Sequence, residues 1–330
     1  MLREIFSEII NSKTFTESKN AATTLFNFYE KLSDKLLLNS KMDSSTKING
    51  GIALSHEHAA DCIIDHLRTT KFIKGIYACV LELKKMFPGE VINVLYAGSG
   101  PYGTLIIPIL SEFKNEEINV TVIDIHESSI KCLRQIVEYL GFEKYIKEYV
   151  IDDASVYKGL KEEYHLVISE TMDVALTKEP QVMITKNIVP MLKKDGFLVP
   201  QEIKVSTQNS FYAKEISFIE ELRKGERDDG DYSEQESKIL FKLNKKTSFN
   251  EENFYEFDSE VFAKSEGTEL YPDICIYTEV KIFKDEILKK GESLLTMPYC
   301  VSSIYNIEKE NYRLNYSTKD IPIWRVLVYY

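Results

Sequence analysis

The stretch Val91–Gly103, VINVLYAGSGPYG, decides the fold of this chain. It opens with an apolar run that predicts a buried parallel strand, Val91–Leu95, and turns through several glycines before a second apolar run starts at Leu105. Glycine has no Cβ, so this turn can take positive φ and a ligand can approach its backbone closely. A helix behind the turn would offer unpaired N–H groups at its N-terminus. The order strand, glycine turn and helix therefore indicates a cradle for a nucleotide-type ligand.

The composition is that of a globular protein with an acidic surface. The 330 residues are enough for two domains, 44% of them are hydrophobic and 28% are charged. The formal net charge of -11 argues against a primary role on nucleic acid or on an anionic membrane and favours a basic or neutral partner. The five cysteines are scattered, without a C-x-x-C pair, which predicts neither a disulfide framework nor a thiolate metal site and favours a reducing compartment.

The sequence also lacks the signals of a membrane protein. No segment offers the roughly 18 uninterrupted apolar residues that span a bilayer, and the N-terminal MLREIFSEIINSKTF has no long apolar core. We therefore expect a soluble, cytoplasmic protein.

Apolar strands and helical patterns alternate up to about residue 200, which is typical of a doubly wound, mostly parallel α/β sheet. The predicted strands are Val91–Leu95, Val120–Ile125, Tyr149–Ile151 and His165–Ser169, and the predicted helices between and after them are Thr104–Phe113, Ser128–Leu140 and Pro180–Leu192. Helical spacing also covers residues 1 to about 50, up to a polar break at Asn39–Gly51, and Ser55–Phe87.

The pattern changes after Pro200. A period near two over Ile203–Thr207, Ile274–Ile282 and Arg325–Tyr329 predicts an antiparallel β domain. The segment Gly225–Lys246 is dense in charge and is predicted to be an exposed excursion.

Two aspartates follow the glycine turn at the ends of successive strands. Asp124 ends the second strand, where a carboxylate can accept hydrogen bonds from both ribose hydroxyls of a bound adenosine. Asp153 ends the third strand and could accept a hydrogen bond from an adenine amino group. The alternative is that strand-end aspartates only cap turns. An NAD site would need Asp124 equally, so Asp153 and the sequence after it favour S-adenosylmethionine. The candidate cofactor residues on these strand ends are Ala97, Gly98, Ser99, Gly100, Gly103, Asp124, Ile125, Asp153 and Ala154.

The segment Ile188–Pro200, IVPMLKKDGFLVP, resembles the post-helix turn of class I S-adenosylmethionine-dependent methyltransferases, in which a helix ending in such a turn is followed by an apolar strand that closes with proline. Together with VLYAGSG, VTVID, DDA and LVISE, it follows the order of that family over roughly residues 90 to 200. The resemblance implies S-adenosyl-L-methionine as the cofactor.

The stretch Leu166–Glu179, LVISETMDVALTKE, resembles the paired-glutamate loop of protein arginine methyltransferases, where S-E-x-M is followed nine positions later by a second glutamate. Glu170 and Glu179 reproduce this interval and are the predicted catalytic residues; Glu170 is also a candidate cofactor contact. Two carboxylates can clamp a planar guanidinium and aim one nitrogen at the methyl carbon. Alternatively, Glu179 only caps the helix that starts at Pro180.

Two further motifs extend the resemblance. Asp65–Thr69, DHLRT, is similar to the family's D-x-x-R-T helix segment, whose arginine binds the cofactor carboxylate, so this role is implied for Arg68; otherwise Arg68 is a solvated helix residue. The β-rich second half matches the family's barrel domain, and Ile323–Tyr329 resembles its closing stretch that begins with T-H-W, of which Trp324 is kept.

The chain also departs from the family. Pro322 and Ile323 replace the threonine and histidine before that tryptophan, Gln181 replaces a methionine, the acidic residue two positions before Gly98 is absent, and no Y-F-x-x-Y precedes Arg68. These departures leave open a small-molecule N- or O-methyltransferase in which only Glu170 acts, a non-catalytic cofactor-binding protein, and an NAD-dependent enzyme.

These motifs predict a division of the chain into three segments and the kinds of partner that it binds. Residues 1–55 form a helical preface, 56–200 the S-adenosylmethionine-binding Rossmann-like domain, and 201–330 a barrel-like substrate or dimerisation domain. The acceptor is a cationic peptide, protein or small molecule. The resemblance implies a homodimer formed through an arm of the barrel, which the segment Gly225–Lys246 either serves or prevents. No metal is expected, since the two histidines of His56-Glu57-His58 do not share a helix face.

Overall fold

The computed structural model of the protein describes residues 1–36, 38, 44–224, 237–249, 251, 253–264 and 270–328, without the side chain of His56. The helices are α1 (Leu2–Asn11), α2 (Phe15–Leu36), α3 (His56–Asp61), α4 (His66–Met86), α5 (Ile107–Leu110), α6 (Glu127–Leu140), α7 (Gln181–Ile188) and α8 (Tyr212–Lys224). The strands of the first half are β1 (Thr46–Ile48), β2 (Gly51–Ala53), β3 (Ile92–Ala97), β4 (Ile118–Asp124), β5 (Ile146–Ile151), β6 (Tyr164–Ser169) and β7 (Leu192–Val199). Those of the second half are β8 (Glu202–Ser210), β9 (Lys238–Asn244), β10 (Glu256–Asp258), β11 (Phe262–Ala263), β12 (Asp273–Phe283), β13 (Glu286–Leu288), β14 (Tyr299–Ser303), β15 (Asn311–Ser317) and β16 (Ile323–Val328).

A five-stranded parallel sheet in the order β5-β4-β3-β6-β7 forms the first half. Both of its faces are covered, which explains why its strands are continuous apolar runs. Val94 and Tyr96 of β3 belong to the buried cluster that includes α4 and α6, whereas Leu95 and Ala97 belong to a second buried cluster with α7. The predicted doubly wound α/β fold is confirmed.

Antiparallel sheets form the second half, as predicted. One has the order β13-β12-β8-β9, with β14 also paired to β12, and the other is built around β15. The prediction of an exposed excursion at Gly225–Lys246 is wrong for part of that segment, because β9 pairs with β8 and buries Phe241 and Leu243. The alternation in KILFKLN is a strand signal that the surrounding charge obscured. Residues 225–236 of the segment lie outside the described residues.

The helix predicted at Thr104–Phe113 is much shorter in the structure. Only Ile107–Leu110 is α-helical, and the carbonyl of Gly103 accepts hydrogen bonds from the N–H groups of both Ile106 and Ile107, each at 2.9 Å. Gly103 has a φ of 55°, a left-handed conformation that does not continue into a helix. Pro108 lies in the first turn of the helix Ile107–Leu110, where its missing N–H is not needed. The apolar spacing reflects burial of this segment rather than a long helix.

The helix predicted at Pro180–Leu192 is also shorter. It spans Gln181–Ile188 and is followed by a 3-10 turn, Val189–Met191, that contains Pro190. The Lys193–Gly196 segment, KKDG, therefore lies inside β7 and does not end a helix. Proline limits continuation of the α-helix at this point, which the apolar periodicity alone did not show.

One buried cluster connects the N-terminal helices to the parallel sheet and to the antiparallel sheets of the second half. Residues of α1, α2 and α4 share it with β12 and with Trp324 near the C-terminal end. The domain boundaries at residues 55 and 200 stay a prediction. Among the described helices, none has the length and apolar character that a bilayer crossing requires.

Gly103→Ala is expected to destabilise the fold more than Gly141→Ala. Both glycines have positive φ, 55° and 72°, so both substitutions carry the same backbone cost of about 1 kcal/mol. A Cβ at Gly103 would lie 2.8 Å from Leu133 Cδ1 and 2.9 Å from Ile107 Cγ1, whereas a Cβ at Gly141 meets nothing within 4 Å. Urea unfolding should show that the free energy of unfolding falls by roughly 1–3 kcal/mol more for the Gly103 variant than for the Gly141 variant. Equal losses for the two variants would contradict the packing role of Gly103.

Candidate functional site

A cavity lies at the carboxyl ends of β3, β4 and β6 and encloses about 940 Å³ of empty space, part of it open to solvent. This is the edge of a parallel sheet where ligands bind. The cavity brings together most of the predicted site residues, namely Arg68, Gly98, Ser99, Gly100, Asp124, Ile125, Ala154, Glu170 and Glu179.

The glycine turn is fixed by the carboxylate of Asp124. Its Oδ2 accepts a hydrogen bond from the N–H of Gly100 at 2.9 Å, and its Oδ1 accepts one from the N–H of His126 at 2.9 Å. The same carboxylate lines the cavity next to the turn. Gly98 and Gly100 have φ of 74° and 60°, and a Cβ at Gly98 would overlap the side chain of Thr171. Glycine is therefore required at the first position by both conformation and space.

Three predicted cofactor residues lie outside the cavity lining. Ala97 is fully buried at the end of β3, and Gly103 packs against α5 and α6. Asp153 accepts a hydrogen bond from the N–H of Ser155 at 2.8 Å, and its neighbour Asp152 lines the cavity instead. Their contact with a cofactor stays a prediction. Strand-end patterns locate this loop but do not determine which of two consecutive aspartates faces the ligand.

Arg68 and Glu170 form an ion pair inside the cavity. Arg68 lies in the first turn of α4 and Glu170 directly follows β6; the two side chains are 13% and 6% exposed. Burial raises the pKa of the Glu170 carboxyl, and the Arg68 guanidinium opposes that rise. The second oxygen of Glu170, Oε1, is buried and has no hydrogen-bond partner among the described residues. The resemblance implied that Arg68 binds a cofactor carboxylate; in this structure it binds a predicted catalytic glutamate.

Glu179 lines the same cavity without a partner. Its carboxylate makes no hydrogen bond or ion pair with the described residues, and α7 begins without any side-chain cap. The helix-cap alternative for Glu179 therefore has no support in the contacts of this side chain. Burial, followed by the nearby charge of Glu170, raises the pKa of Glu179 to about 8. A cation entering the cavity would reverse that rise.

The loop between the two glutamates is held in an unusual conformation. Ala175, Leu176 and Lys178 have φ of 55°, 57° and 57°. Non-glycine residues in this region cost on the order of 1–3 kcal/mol each and persist only where surrounding contacts fix them. Trp324 Nε1 donates a hydrogen bond to the Ala175 carbonyl at 2.9 Å, and Tyr316 Oη donates one to the Leu176 carbonyl at 2.7 Å. The antiparallel half thereby helps to fix the loop that joins Glu170 to Glu179.

Gln181, a departure from the family pattern, joins the start of this loop to its end. Its Oε1 accepts hydrogen bonds from the N–H of Thr171 at 2.9 Å and from the Thr171 hydroxyl at 3.1 Å. Its Nε2 donates to the Thr185 hydroxyl at 3.2 Å. The side chain is only 1% exposed. A methionine could not make these bonds, so the substitution is accompanied by a local polar network.

Sequence reasoning missed a hairpin that covers the cavity. Strands β1 and β2 lie within and just after the predicted polar break, and Ile48, Ala53 and Leu54 line the cavity. The N–H of Ile52 donates to the Lys178 carbonyl at 2.8 Å, and a Cβ at Gly51 would lie 2.7 Å from the Glu179 carbonyl carbon. The available signal was Asn49-Gly50, a dipeptide typical of two-residue hairpin turns. Residues 39–43 of the break lie outside the described residues.

Within the described side chains, no group of three or more histidine, cysteine or acidic residues is arranged to hold a metal ion. Cys62 lines the cavity beside Arg68, a contact that sequence reasoning did not predict.

Glu179→Gln is expected to change the pH dependence of stability. The carboxyl titrates near pH 8 in the folded protein and near pH ~4.3 when unfolded, so the folded state holds an additional proton between these values. The contribution of this proton to the free energy of unfolding is fully present below pH ~4.3 and is lost as the pH rises through about 8. At about pH 9 the variant should therefore unfold with a free energy higher than wild type by on the order of 1–3 kcal/mol, and at about pH 4 the two should agree.

Urea unfolding at both pH values measures this effect, with Glu148→Gln, at an exposed position, as the control. A difference between Glu179→Gln and wild type that is the same at both pH values would rule out titration of Glu179 as its cause.

Tyr316→Phe should remove one of the two hydrogen bonds to the loop. We expect a loss of about 1 kcal/mol in the free energy of unfolding, because the Leu176 carbonyl loses its donor while the ring packing is kept. Tyr312→Phe is the matched control: Tyr312 is buried on the same strand, and its hydroxyl has no hydrogen bond to the described residues. Indistinguishable chemical-denaturation curves for the two variants would show that the Tyr316 hydroxyl does not fix the loop.

No protein-family model and no curated protein matches the chain in sequence. Solved structures do match in fold. A structure of protein arginine methyltransferase 6 aligns with a TM-score of 0.51 and 12% identity, covering 83% of this chain and 99% of that chain. A second structure of that protein, with SAH, aligns with a TM-score of 0.50 and 12% identity over 79% and 96% of the two chains. Arabidopsis thaliana protein arginine methyltransferase 10 aligns with a TM-score of 0.49 and 12% identity over 82% and 97%.

The two structures of protein arginine methyltransferase 6 share both halves of the architecture described above, since the alignments cover most of each chain. The chain thus has the fold of protein arginine methyltransferases, a parallel α/β sheet followed by antiparallel β sheets.

Proposed function

We propose that the chain is an S-adenosylmethionine-dependent methyltransferase that methylates a nitrogen of a cationic acceptor, with the arginine guanidinium of a peptide or protein as the first candidate. The carrying observation is that Glu170 and Glu179 line one cavity with the glycine turn and Asp124. The fold supports the proposal, as does the presence of SAH in the structure of protein arginine methyltransferase 6. The acidic net charge of -11 suits a cationic acceptor.

The residues present fit the proposed cofactor. The turn at Gly98 brings backbone close to the cavity in a space that a Cβ would fill, and the carboxylate of Asp124 lines the cavity at the strand end where a ribose would lie. Arg68 is the cation in position to hold a carboxylate at the other end of such a ligand. The buried Oε1 of Glu170 lacks a donor among the described residues, as expected for an atom that a ligand completes.

The chain's own residues then orient the acceptor and exclude water. When bound, the cofactor supplies an electrophilic methyl group on its sulfonium. The free oxygen of Glu170 and the carboxylate of Glu179 accept hydrogen bonds from the acceptor's N–H groups. A bound cation favours the ionised form of Glu179, so this residue releases its proton as the acceptor enters. The β1–β2 hairpin covers this end of the cavity and keeps the carboxylates away from bulk water.

The Arg68–Glu170 ion pair favours a second candidate, a small-molecule amine. A guanidinium uses two carboxylates as a clamp, and one of the two is already engaged by Arg68. An ammonium group is a point charge that one carboxylate can hold. Glu179 could also take the proton that the amine must lose before methyl transfer.

Glu170→Gln and Glu179→Gln are each expected to lower the rate of methyl transfer by about 100-fold or more, because each removes a charge that positions the acceptor. Affinity for S-adenosylhomocysteine, measured by calorimetry, should stay within about threefold for Glu179→Gln, because the proposed role of Glu179 is to hold the acceptor and not the cofactor. Glu148→Gln, an exposed carboxylate outside the cavity, is the control for both measurements.

Labelled cofactor should be supplied in parallel with an arginine-rich peptide library and with a small-molecule amine mixture, and the products identified by mass spectrometry. Label on peptide arginine supports the first candidate, and label only on amines supports the second. If calorimetry detects NAD binding and no S-adenosylhomocysteine binding, the methyltransferase proposal fails.

A further inference from the structure

Cys275 and Cys300 face each other across two strands of the antiparallel sheet. Cys275 is on β12, Cys300 is on β14, and the register pairs them directly. Both are free thiols. Directly opposed residues of antiparallel strands project to the same face with Cβ atoms about 4.5–5.5 Å apart. A disulfide needs Cβ atoms about 3.5–4.5 Å apart, so a small backbone adjustment would join this pair.

The surroundings of the two thiols differ in a way that suits stepwise oxidation. Cys300 is partly exposed, whereas Cys275 is fully buried behind it. The thiols are close enough that each affects the pKa of the other. The register shifts between Ile274 and Cys275, which marks an irregularity next to the pair. Strands bend more readily at such irregularities than in a regular ladder.

We propose that Cys275 and Cys300 form a thiol–disulfide site that takes a low-molecular-weight disulfide, such as oxidised glutathione, as its oxidant. The Cys300 thiolate attacks one sulfur of the oxidant, forms a mixed disulfide and releases one glutathione. The Cys275 thiolate then attacks the Cys300 sulfur, forms the Cys275–Cys300 bond and releases the second glutathione. Two electrons pass from the protein thiols to the oxidant, and the two thiol protons end on the two glutathione molecules.

Strand β12 connects this site to the loop at the cavity. The 3-10 turn Val174–Leu176, which separates the two glutamates, packs against β12 and against the turn Leu294–Thr296. Thr278 of β12 donates a hydrogen bond to the Leu295 carbonyl at 2.6 Å. A Cys275–Cys300 bond would tie β14 to the strand that supports this loop. It would also close the chain between the two cysteines and so restrict the unfolded state.

The experiment uses the full chain with Cys62→Ser, which removes the partly exposed thiol of the cavity. The protein is incubated with oxidised glutathione at about pH 9, because burial raises the pKa of the Cys300 thiol. Mass spectrometry of the intact protein should show the loss of two hydrogens, and peptide mapping should show a peptide pair linked through Cys275 and Cys300. The melting temperature should rise by roughly 5 °C and return on reduction.

The matched variant Cys62→Ser with Cys275→Ser removes the resolving thiol, and Cys300 should then keep a glutathione adduct. The mapping of the Cys62→Ser protein decides the proposal even if this second variant does not fold. A stable glutathione adduct on Cys300 with Cys275 still reduced would overturn it, as would the absence of any modification at either cysteine. Both outcomes are independent of methyl transfer, so failure of the proposed function leaves the test intact.

Discussion

The hydrogen bonds from Trp324 and Tyr316 to the carbonyls of Ala175 and Leu176 are the constraint on which the candidate site depends. They cross from the antiparallel half to the loop that follows β6 of the parallel sheet. The loop takes left-handed backbone conformations at non-glycine residues, which are unfavourable in isolation. Aromatic packing around Trp324, including Phe241 and Tyr316, fixes the donors that compensate for this cost. The two halves therefore build one site rather than two adjoining ones.

Charge is distributed unevenly over this site. Arg68 is paired with Glu170, and Glu179 forms no ion pair with the described residues, although the charges of Arg68 and Lys178 partly offset its burial. An unpaired carboxylate in a water-poor cavity is costly, and it responds by holding a proton. A cationic ligand would supply the missing counter-charge and the missing donor for Glu170 Oε1 at the same time. The arrangement is electrostatically incomplete without such a ligand.

Local pattern was sufficient for the parallel sheet and for the strand ends that carry Gly98, Asp124 and Glu170, because apolar runs and glycine turns are short-range signals. It was insufficient for the Arg68–Glu170 pair, whose members are 102 positions apart and come together only in the fold. The local pattern also gave a wrong prediction for β9, because this strand lies within a charged stretch of sequence. The choice between Asp152 and Asp153 depends on loop geometry that periodicity does not encode.

The β1–β2 hairpin, which lines the cavity, has a further consequence. The hairpin contacts the Glu179–Pro180 peptide through the backbone of Gly51. An ion pair between Lys47 and Asp320 connects the hairpin to the antiparallel half. Burial is the main cause of the raised pKa of Glu179, so a segment more than 120 positions away in the sequence contributes to the proton affinity of this carboxyl, together with the charge of Glu170. Substitutions in this hairpin are therefore expected to shift the acidity of Glu179 without changing any residue of the parallel sheet.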